Sequence, residues 1–167
     1  FGIPEGVALD SEDPSSTAQA LAYTEKALEY GNNLGAKVAY LVPGSDGSPE
    51  AHSRYARSFT TLADLASTLG LKLCIEHFPG SAFPTASATL NFIGGIDHPN
   101  LYLLLDIGHT QISNEDPAEV IASAGPKLGY VHLDDNDGQG DLHWALTDGV
   151  QTENSLRQTF EALEKIQ

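Results

Sequence analysis

The chain contains no methionine, a single cysteine and few basic residues, and each shortage narrows what the protein can be. Cys74 has no partner for an internal disulfide, which is typical of a reducing compartment. No apolar stretch approaches the roughly 18 residues of a membrane span, and the N-terminus lacks the basic-then-apolar pattern of a signal peptide. We therefore predict a cytoplasmic protein with no membrane segment.

Lysine and arginine together number 8 against 23 acidic residues, so the formal net charge is -15. A surface of this charge repels phosphate backbones and anionic lipid, which disfavours nucleic acids and membranes as partners. A bound divalent cation would relieve part of the charge locally. The chain also starts at Phe1 without any methionine, and we expect it to be a processed or excised piece of a longer polypeptide.

The 167 residues, 41% of them hydrophobic, suffice for one domain with a sizeable core, and no Ser/Gly-rich linker divides them. Short apolar runs alternate with amphipathic helical stretches, which predicts a single α/β domain over residues 1–167. The predicted strands span residues 37–42, 71–76, 101–106 and 129–133. The predicted helices span residues 16–33 behind a Ser15 or Ser16 cap, 49–68, 86–93, 117–124 and 153–165 behind a Thr152 cap.

The predicted strands are continuous apolar runs without alternation, as expected for a parallel sheet that helices cover. Their ends recur at intervals of roughly 30 residues, the repeat of a TIM barrel. A complete barrel needs about 250 residues, so the chain predicts a partial (β/α)8 barrel of about four to five βα units. A small doubly wound sheet is the structural alternative.

Three ionisable side chains close successive apolar strands: Glu76, Asp106 and His132. Such groups cost free energy at a strand end unless they are paired or bind a metal. In a barrel they would converge at the mouth, where active sites lie, as two oxygen ligands and one nitrogen ligand. This set suits Mn²⁺, Co²⁺, Mg²⁺ or Zn²⁺. The structural alternative is a set of polar strand ends that backbone amides satisfy.

Further imidazoles and acids follow these strand ends. His109 comes three residues after Asp106, where the chain has left the strand and can turn back over the mouth. Asp141 and His143 would point to one side of an extended segment, and they could bind a second metal, hold substrate or shape the loop. We expect His77 to pack against a helix, and the remaining acids of the loop after His132 to form turns: Asp134, Asp135 and Asp137.

The ordered set of motifs resembles the xylose isomerase-like TIM-barrel superfamily, specifically its sugar phosphate isomerase and epimerase group, whose relatives include ketose 3-epimerases and endonuclease IV. The resemblance covers essentially the whole chain, which would lack the first strands and the last strand of the barrel. The motifs that carry it are Leu-Cys-Ile-Glu76, Asp106-Ile-Gly-His109, Val-His132-Leu-Asp-Asp-Asn-Asp-Gly, Asp141-Leu-His143 and Asp148-Gly149.

The resemblance implies a divalent-metal-dependent sugar isomerase or epimerase that transfers a proton next to a carbonyl through an enediolate. Glu76 would be both metal ligand and acid/base, and Asp106 and His132 would be ligands together with a glutamate on the last strand. His109 would contact the substrate, and we count Asp141 and His143 with it as candidate substrate-binding residues. Because that last glutamate is missing from the chain, we expect little or no turnover from these 167 residues alone.

Several rival functions use the same fold. An endonuclease IV-like DNA-repair activity needs a histidine on the strand at residues 37–42, where none is present. A Schiff-base aldolase needs a lysine at the barrel mouth, whereas Lys37 and Lys72 lie at strand beginnings. The remaining alternatives are a metal-dependent dehydratase or lyase acting on a keto-polyol, and a non-catalytic remnant that binds metal or sugar. The predicted partner is a small sugar or polyol, with a homo-oligomer left open.

Overall fold

The computed structural model describes residues 4–166. Its strands are β1 (Val38–Leu41), β2 (Lys72–Glu76), β3 (Leu101–Asp106) and β4 (Leu128–His132). Its helices are α1 (Pro14–Asn33), α2 (Pro49–Thr68), α3 (Ala86–Ile96), α4 (Ile107–Ser113), α5 (Pro117–Ala124) and α6 (Glu153–Lys165). A 3-10 turn at Gly125–Lys127 precedes β4.

The strands form one parallel sheet in the order β1-β2-β3-β4, and helices follow each of them along the chain. A doubly wound sheet would reverse its strand order at a switch point, and this sheet does not. Sequential neighbours joined through helices are the arrangement of a TIM barrel. The predicted α/β partial barrel is therefore confirmed, with four βα units among the described residues.

Most predicted boundaries agree with the structure, and the exceptions have local causes. Helix α1 is capped by Asp13, whose carboxylate accepts hydrogen bonds from the Ser15 and Ser16 amides at 3.0 and 3.3 Å. The predicted serine cap is thus wrong, because the capping residue lies two or three positions earlier. Helix α3 continues through two glycines to Ile96 and ends at Asp97, which takes a left-handed conformation with φ 55°. Helix α4 had no counterpart in the prediction.

The two faces of the sheet carry different kinds of side chain. The face toward the helices carries the core leucines and isoleucine of β2 and β3, and α2 covers them with Phe59 and Leu62, all completely buried. On the other face the register aligns Glu76 with Leu104 and Tyr130, and Asp106 with His132. The polar strand ends therefore share one face at the carboxyl edge of the sheet.

No helix within residues 4–166 is long and apolar enough to cross a membrane.

Candidate active site

The carboxyl edge of the sheet brings Glu76, Asp106 and His132 together. The Nδ1 atom of His132 lies 3.2 Å from Glu76 Oε1 and 3.3 Å from Asp106 Oδ2. Both carboxylates are buried, with 5% and 1% of their residue surface exposed, while the imidazole is partly open to solvent. The convergence expected of the three residues is present, and their role as metal ligands stays a proposal.

His109 lies in the first turn of α4, not in a loop. Asp106 caps this helix by accepting a hydrogen bond from the His109 amide at 3.0 Å. The Nδ1 atom of His109 is 2.8 Å from the main-chain carbonyl of His77, and since a carbonyl only accepts, Nδ1 carries the proton. The other ring nitrogen, Nε2, therefore faces the site, 3.5 Å from Asp141 Oδ1. Ligand atoms of Glu76, Asp106 and His109 lie within 4.8 Å of one another, so His109 is also within reach of an ion there.

Burial and neighbouring charges set the electrostatics of the site. Burial raises the pKa of Glu76, the charge of Asp106 raises it further, and His132 and His109 oppose the rise. Burial and the charges of Glu76 and Asp106 also raise the pKa of Tyr40, whose ring centroid lies 5.4 Å from that of His132. Among residues 4–166, no lysine or arginine forms an ion pair with either carboxylate. Two buried carboxylates with only imidazoles beside them fit a divalent cation.

A second group of ligand-type side chains adjoins the first. His143 contacts Asp134 through Nδ1 at 2.8 Å and Asp141 through Nε2 at 3.3 Å, and Asp141 Oδ1 lies 3.5 Å from His109 Nε2. Asp141 thus contacts both His143 and His109, and the role of Asp141 and His143 in substrate binding stays a proposal. Asp134 differs from its prediction as a turn former, because it faces this group. Burial raises the pKa of Asp134, and the charge of Asp106 adds to that rise.

The loop after β4 folds around Asp135, whose importance sequence reasoning missed. Its completely buried carboxylate accepts hydrogen bonds from the amides of Gly149 at 2.8 Å and Gln151 at 3.1 Å. Burial alone would raise the pKa of Asp135, but these donors outweigh it and lower the pKa. A Cβ on Gly149 would lie 2.0 Å from the carbonyl oxygen of Asn136, so only glycine fits there. The Asp148-Gly149 dipeptide was the available signal.

His77 makes more contacts with the site than its predicted role in helix packing implies. It is completely buried and contacts a helix as expected, but it does so through the site histidine, with 5.5 Å between its ring centroid and that of His109. Its Nε2 atom accepts a hydrogen bond from the Asp106 amide at 3.2 Å. Burial, together with the charge of His109, lowers the pKa of His77 to about 4. The ring is therefore neutral at physiological pH.

Comparison with known proteins identifies the family of the chain. A family model described as "Xylose isomerase-like TIM barrel" matches residues 1–167. The chain belongs to this family. Its relatives include the D-psicose 3-epimerase of Agrobacterium fabrum, 28% identical over 152 residues, which cover 81% of this chain and 53% of that enzyme. They also include an inosose dehydratase of Klebsiella pneumoniae, 31% identical over 91 residues, which cover 53% of this chain and 30% of that enzyme.

Solved structures of the family share the fold. The D-allulose 3-epimerase from Methylomonas sp. superposes with a TM-score of 0.81 at 24% identity, over 99% of this chain and 58% of that one. A crystal structure of the IolI protein with a bound zinc atom gives a TM-score of 0.77 at 20% identity, over 96% of this chain and 61% of that one. The chain spans about half the length of the curated relatives it matches. The predicted superfamily is thus confirmed.

Proposed function

We propose that the protein acts in a divalent-metal-dependent sugar epimerase or isomerase that transfers a proton next to a carbonyl group. The observation that carries this proposal is the convergence of two buried carboxylates on one imidazole, with His132 Nδ1 at 3.2 and 3.3 Å from Glu76 and Asp106. Ketose 3-epimerases among the relatives support the reaction class.

Glu76, Asp106 and His132 would hold the cation, and His109 is close enough to join them. Two carboxylates and imidazole nitrogen suit Mn²⁺, Co²⁺, Mg²⁺ or Zn²⁺. When bound, such an ion supplies positive charge that favours the negative charge developing on sugar oxygens during enediolate formation. The crystal structure of the IolI protein, which has the same fold, contains a bound zinc atom, and this supports a metal in the present protein.

Glu76 is the proposed general base, because burial raises its pKa and so makes its carboxylate more basic than an exposed one. His109 would accept a hydrogen bond from a substrate hydroxyl through the Nε2 lone pair. Asp141 and His143 lie beside it at the rim, where they can hold further hydroxyl groups. The proposed base and the proposed substrate-binding side chains therefore lie together at the carboxyl edge of the sheet.

The distribution of basic residues supports a neutral sugar or polyol as substrate. Lys72 and Lys127 lie at the amino ends of strands, where both face the ring of Tyr102 at 5.1 and 5.7 Å. Within the described residues, no lysine or arginine accompanies the acids at the carboxyl edge. A phosphorylated sugar would meet uncompensated carboxylates there.

A metal-dependent dehydratase acting on a keto-polyol is the second candidate, favoured by the similarity to inosose dehydratase. Removal of a proton next to a carbonyl begins both reactions, and they differ in whether a neighbouring hydroxyl then leaves. Mass spectrometry of the product separates the two, since only a dehydratase lowers the mass of the sugar by releasing water.

Metal binding by Glu76→Gln and Asp106→Asn variants tests the proposal. We expect the wild-type chain to bind Mn²⁺ or Co²⁺ at one site in calorimetric titrations, and each variant to bind at least about tenfold more weakly because a charged ligand is lost. Glu161→Gln, which removes an exposed acid on α6, is the matched control and should leave the affinity unchanged. Unchanged affinity in both site variants would contradict the assignment.

A further inference from the structure

We propose that His77 is a positioning residue for this site, with its ring fixing the main chain of Asp106 and its carbonyl fixing the tautomer of His109. The inference rests on the proposed function, because His77 would act by orienting the proposed metal ligand Asp106 and the proposed substrate contact His109. His77 follows Glu76 in the chain and is not itself one of the proposed metal ligands.

The contact with Asp106 substitutes for strand pairing. The last residue pair between β2 and β3 is Glu76 with Leu104, so Asp106 lies two residues beyond it. The Asp106 amide donates its hydrogen bond to His77 Nε2 at 3.2 Å. Asp106 also ends β3, caps α4 and pairs with His132 of β4 on its other side, so the bond to His77 fixes the side of the main chain that faces β2.

The contact with His109 decides which nitrogen is available in the site. The Nδ1–H of His109 donates to the main-chain carbonyl of His77 at 2.8 Å, which leaves Nε2 as the acceptor. The edge-on rings of His77 and Phe78, with centroids 5.5 and 4.7 Å away, hold the plane of His109. The orientation of a ligating or substrate-binding imidazole commonly depends on such a neighbouring acceptor.

The energetics favour a functional reason for a histidine at this position. Since Nε2 accepts a hydrogen bond, the proton of the neutral ring is on Nδ1, and this buried atom has no hydrogen-bond partner among the described residues. A buried donor without a partner destabilises the fold, and an apolar ring of similar size would avoid that cost. The acceptor supplied to Asp106 accounts for the histidine.

Two variants at this position keep the main-chain carbonyl and differ only in the side chain. His77→Phe removes the acceptor for the Asp106 amide, whereas His77→Gln keeps an acceptor of similar reach. We expect His77→Phe to weaken Mn²⁺ binding by about tenfold in calorimetric titrations, and His77→Gln to remain within about threefold of wild type. Wild-type affinity in a folded His77→Phe variant, or equal loss in both variants, would overturn the proposal.

Nitrogen-15 NMR of the metal-free wild-type chain gives a readout that does not depend on either variant folding. We expect the imidazole of His109 at neutral pH to carry its proton on Nδ1, and the imidazole of His77 to do the same. The Nε2–H tautomer at either residue would overturn the proposal. Absence of Mn²⁺ binding by the wild-type chain would instead contradict the proposed function, and the tautomers would still decide whether His77 positions the two residues.

Discussion

Three buried or partly buried carboxylates of this protein differ in what compensates their charge. Glu76 faces imidazoles and another carboxylate, and its pKa is raised. Asp135 and Glu115 accept hydrogen bonds from main-chain amides, and their pKa values are lowered although both are desolvated. The carboxylate that we propose as the general base, with its raised pKa, thus differs from the two carboxylates that stabilise structure.

Glu115 makes the clearest structural contribution at this scale. Its carboxylate accepts hydrogen bonds from the amides of Ala86 and Ser87 at 2.8 and 2.9 Å, and from the hydroxyls of Ser87 and Ser113. We expect Glu115→Gln to lower the free energy of unfolding at pH 7 by about 1–2 kcal/mol, measured by urea denaturation, because charge-assisted bonds become neutral ones.

The pH dependence of this effect follows from the lowered pKa of Glu115. The stabilisation is complete above the ordinary glutamate pKa and is lost as the pH falls through the lower value of the folded state. The difference between wild type and Glu115→Gln should therefore shrink on acidification. Glu161→Gln, at an exposed position of α6, is the control and should differ little from wild type throughout. A difference that grows toward acidic pH would contradict the assignment.

Among the elements, α4 depends most on its surroundings. Its seven residues include a glycine and two isoleucines and are too few to form a stable isolated helix. The loop after β4 secures it, because Asp134 accepts a hydrogen bond from the Gly108 amide at 3.1 Å and Asn136 donates one to the Gly108 carbonyl at 2.8 Å. This short helix presents His109 to the site.

Two glycines in helices should respond in opposite ways to the same substitution. A Cβ on Gly108 would lie 2.3 Å from Asp134 Oδ1, whereas a Cβ on Gly94 of α3 would meet nothing within 4 Å. Gly108→Ala should lower the free energy of unfolding by about 1–3 kcal/mol through the forced displacement of Asp134. Gly94→Ala should raise it by about 0.5–1 kcal/mol, because alanine loses less entropy in a helix.

Urea denaturation of both variants measures the two effects, and Gly94→Ala is the matched control for the first. Equal stability changes in the two proteins would show that the contact between α4 and the loop has no energetic importance. A stable Gly108→Ala protein would likewise contradict the tight packing of Asp134 against this helix.

At the scale of the whole molecule, a net charge of -15 acts against the compact state through repulsion among carboxylates. Raising NaCl from about 20 mM to about 500 mM shortens the screening length several-fold, so we expect the melting temperature to rise by several degrees. In a double variant that removes two exposed acids of α6, Glu161→Gln with Glu164→Gln, the melting temperature should rise less with added NaCl than in the wild type. Thermal denaturation followed by circular dichroism provides the measurement, and a falling melting temperature would contradict this electrostatic account.

The periodicity of apolar residues was sufficient to predict most of the strands and helices. Long helices such as α2 and α6 and the apolar run of β3 carry repeated signals over many residues, so their type and bounds were predictable. The start of α1 and the end of α3 were less predictable, because a capping residue and a left-handed terminal residue each depend on a single side chain. Helix α4 lacks a periodic signal and depends on tertiary contacts.

The sequence by itself determined the order of strands and helices, the acidic character, and the strand ends at which Glu76, Asp106 and His132 converge, because these follow from local pattern and from the direction of parallel strands. Only the tertiary structure decided which nitrogen of His109 faces the site, that His77 supports Asp106, and that Asp134 turns inward. Those choices depend on hydrogen bonds between residues distant in the chain, and no local pattern of residues encodes them.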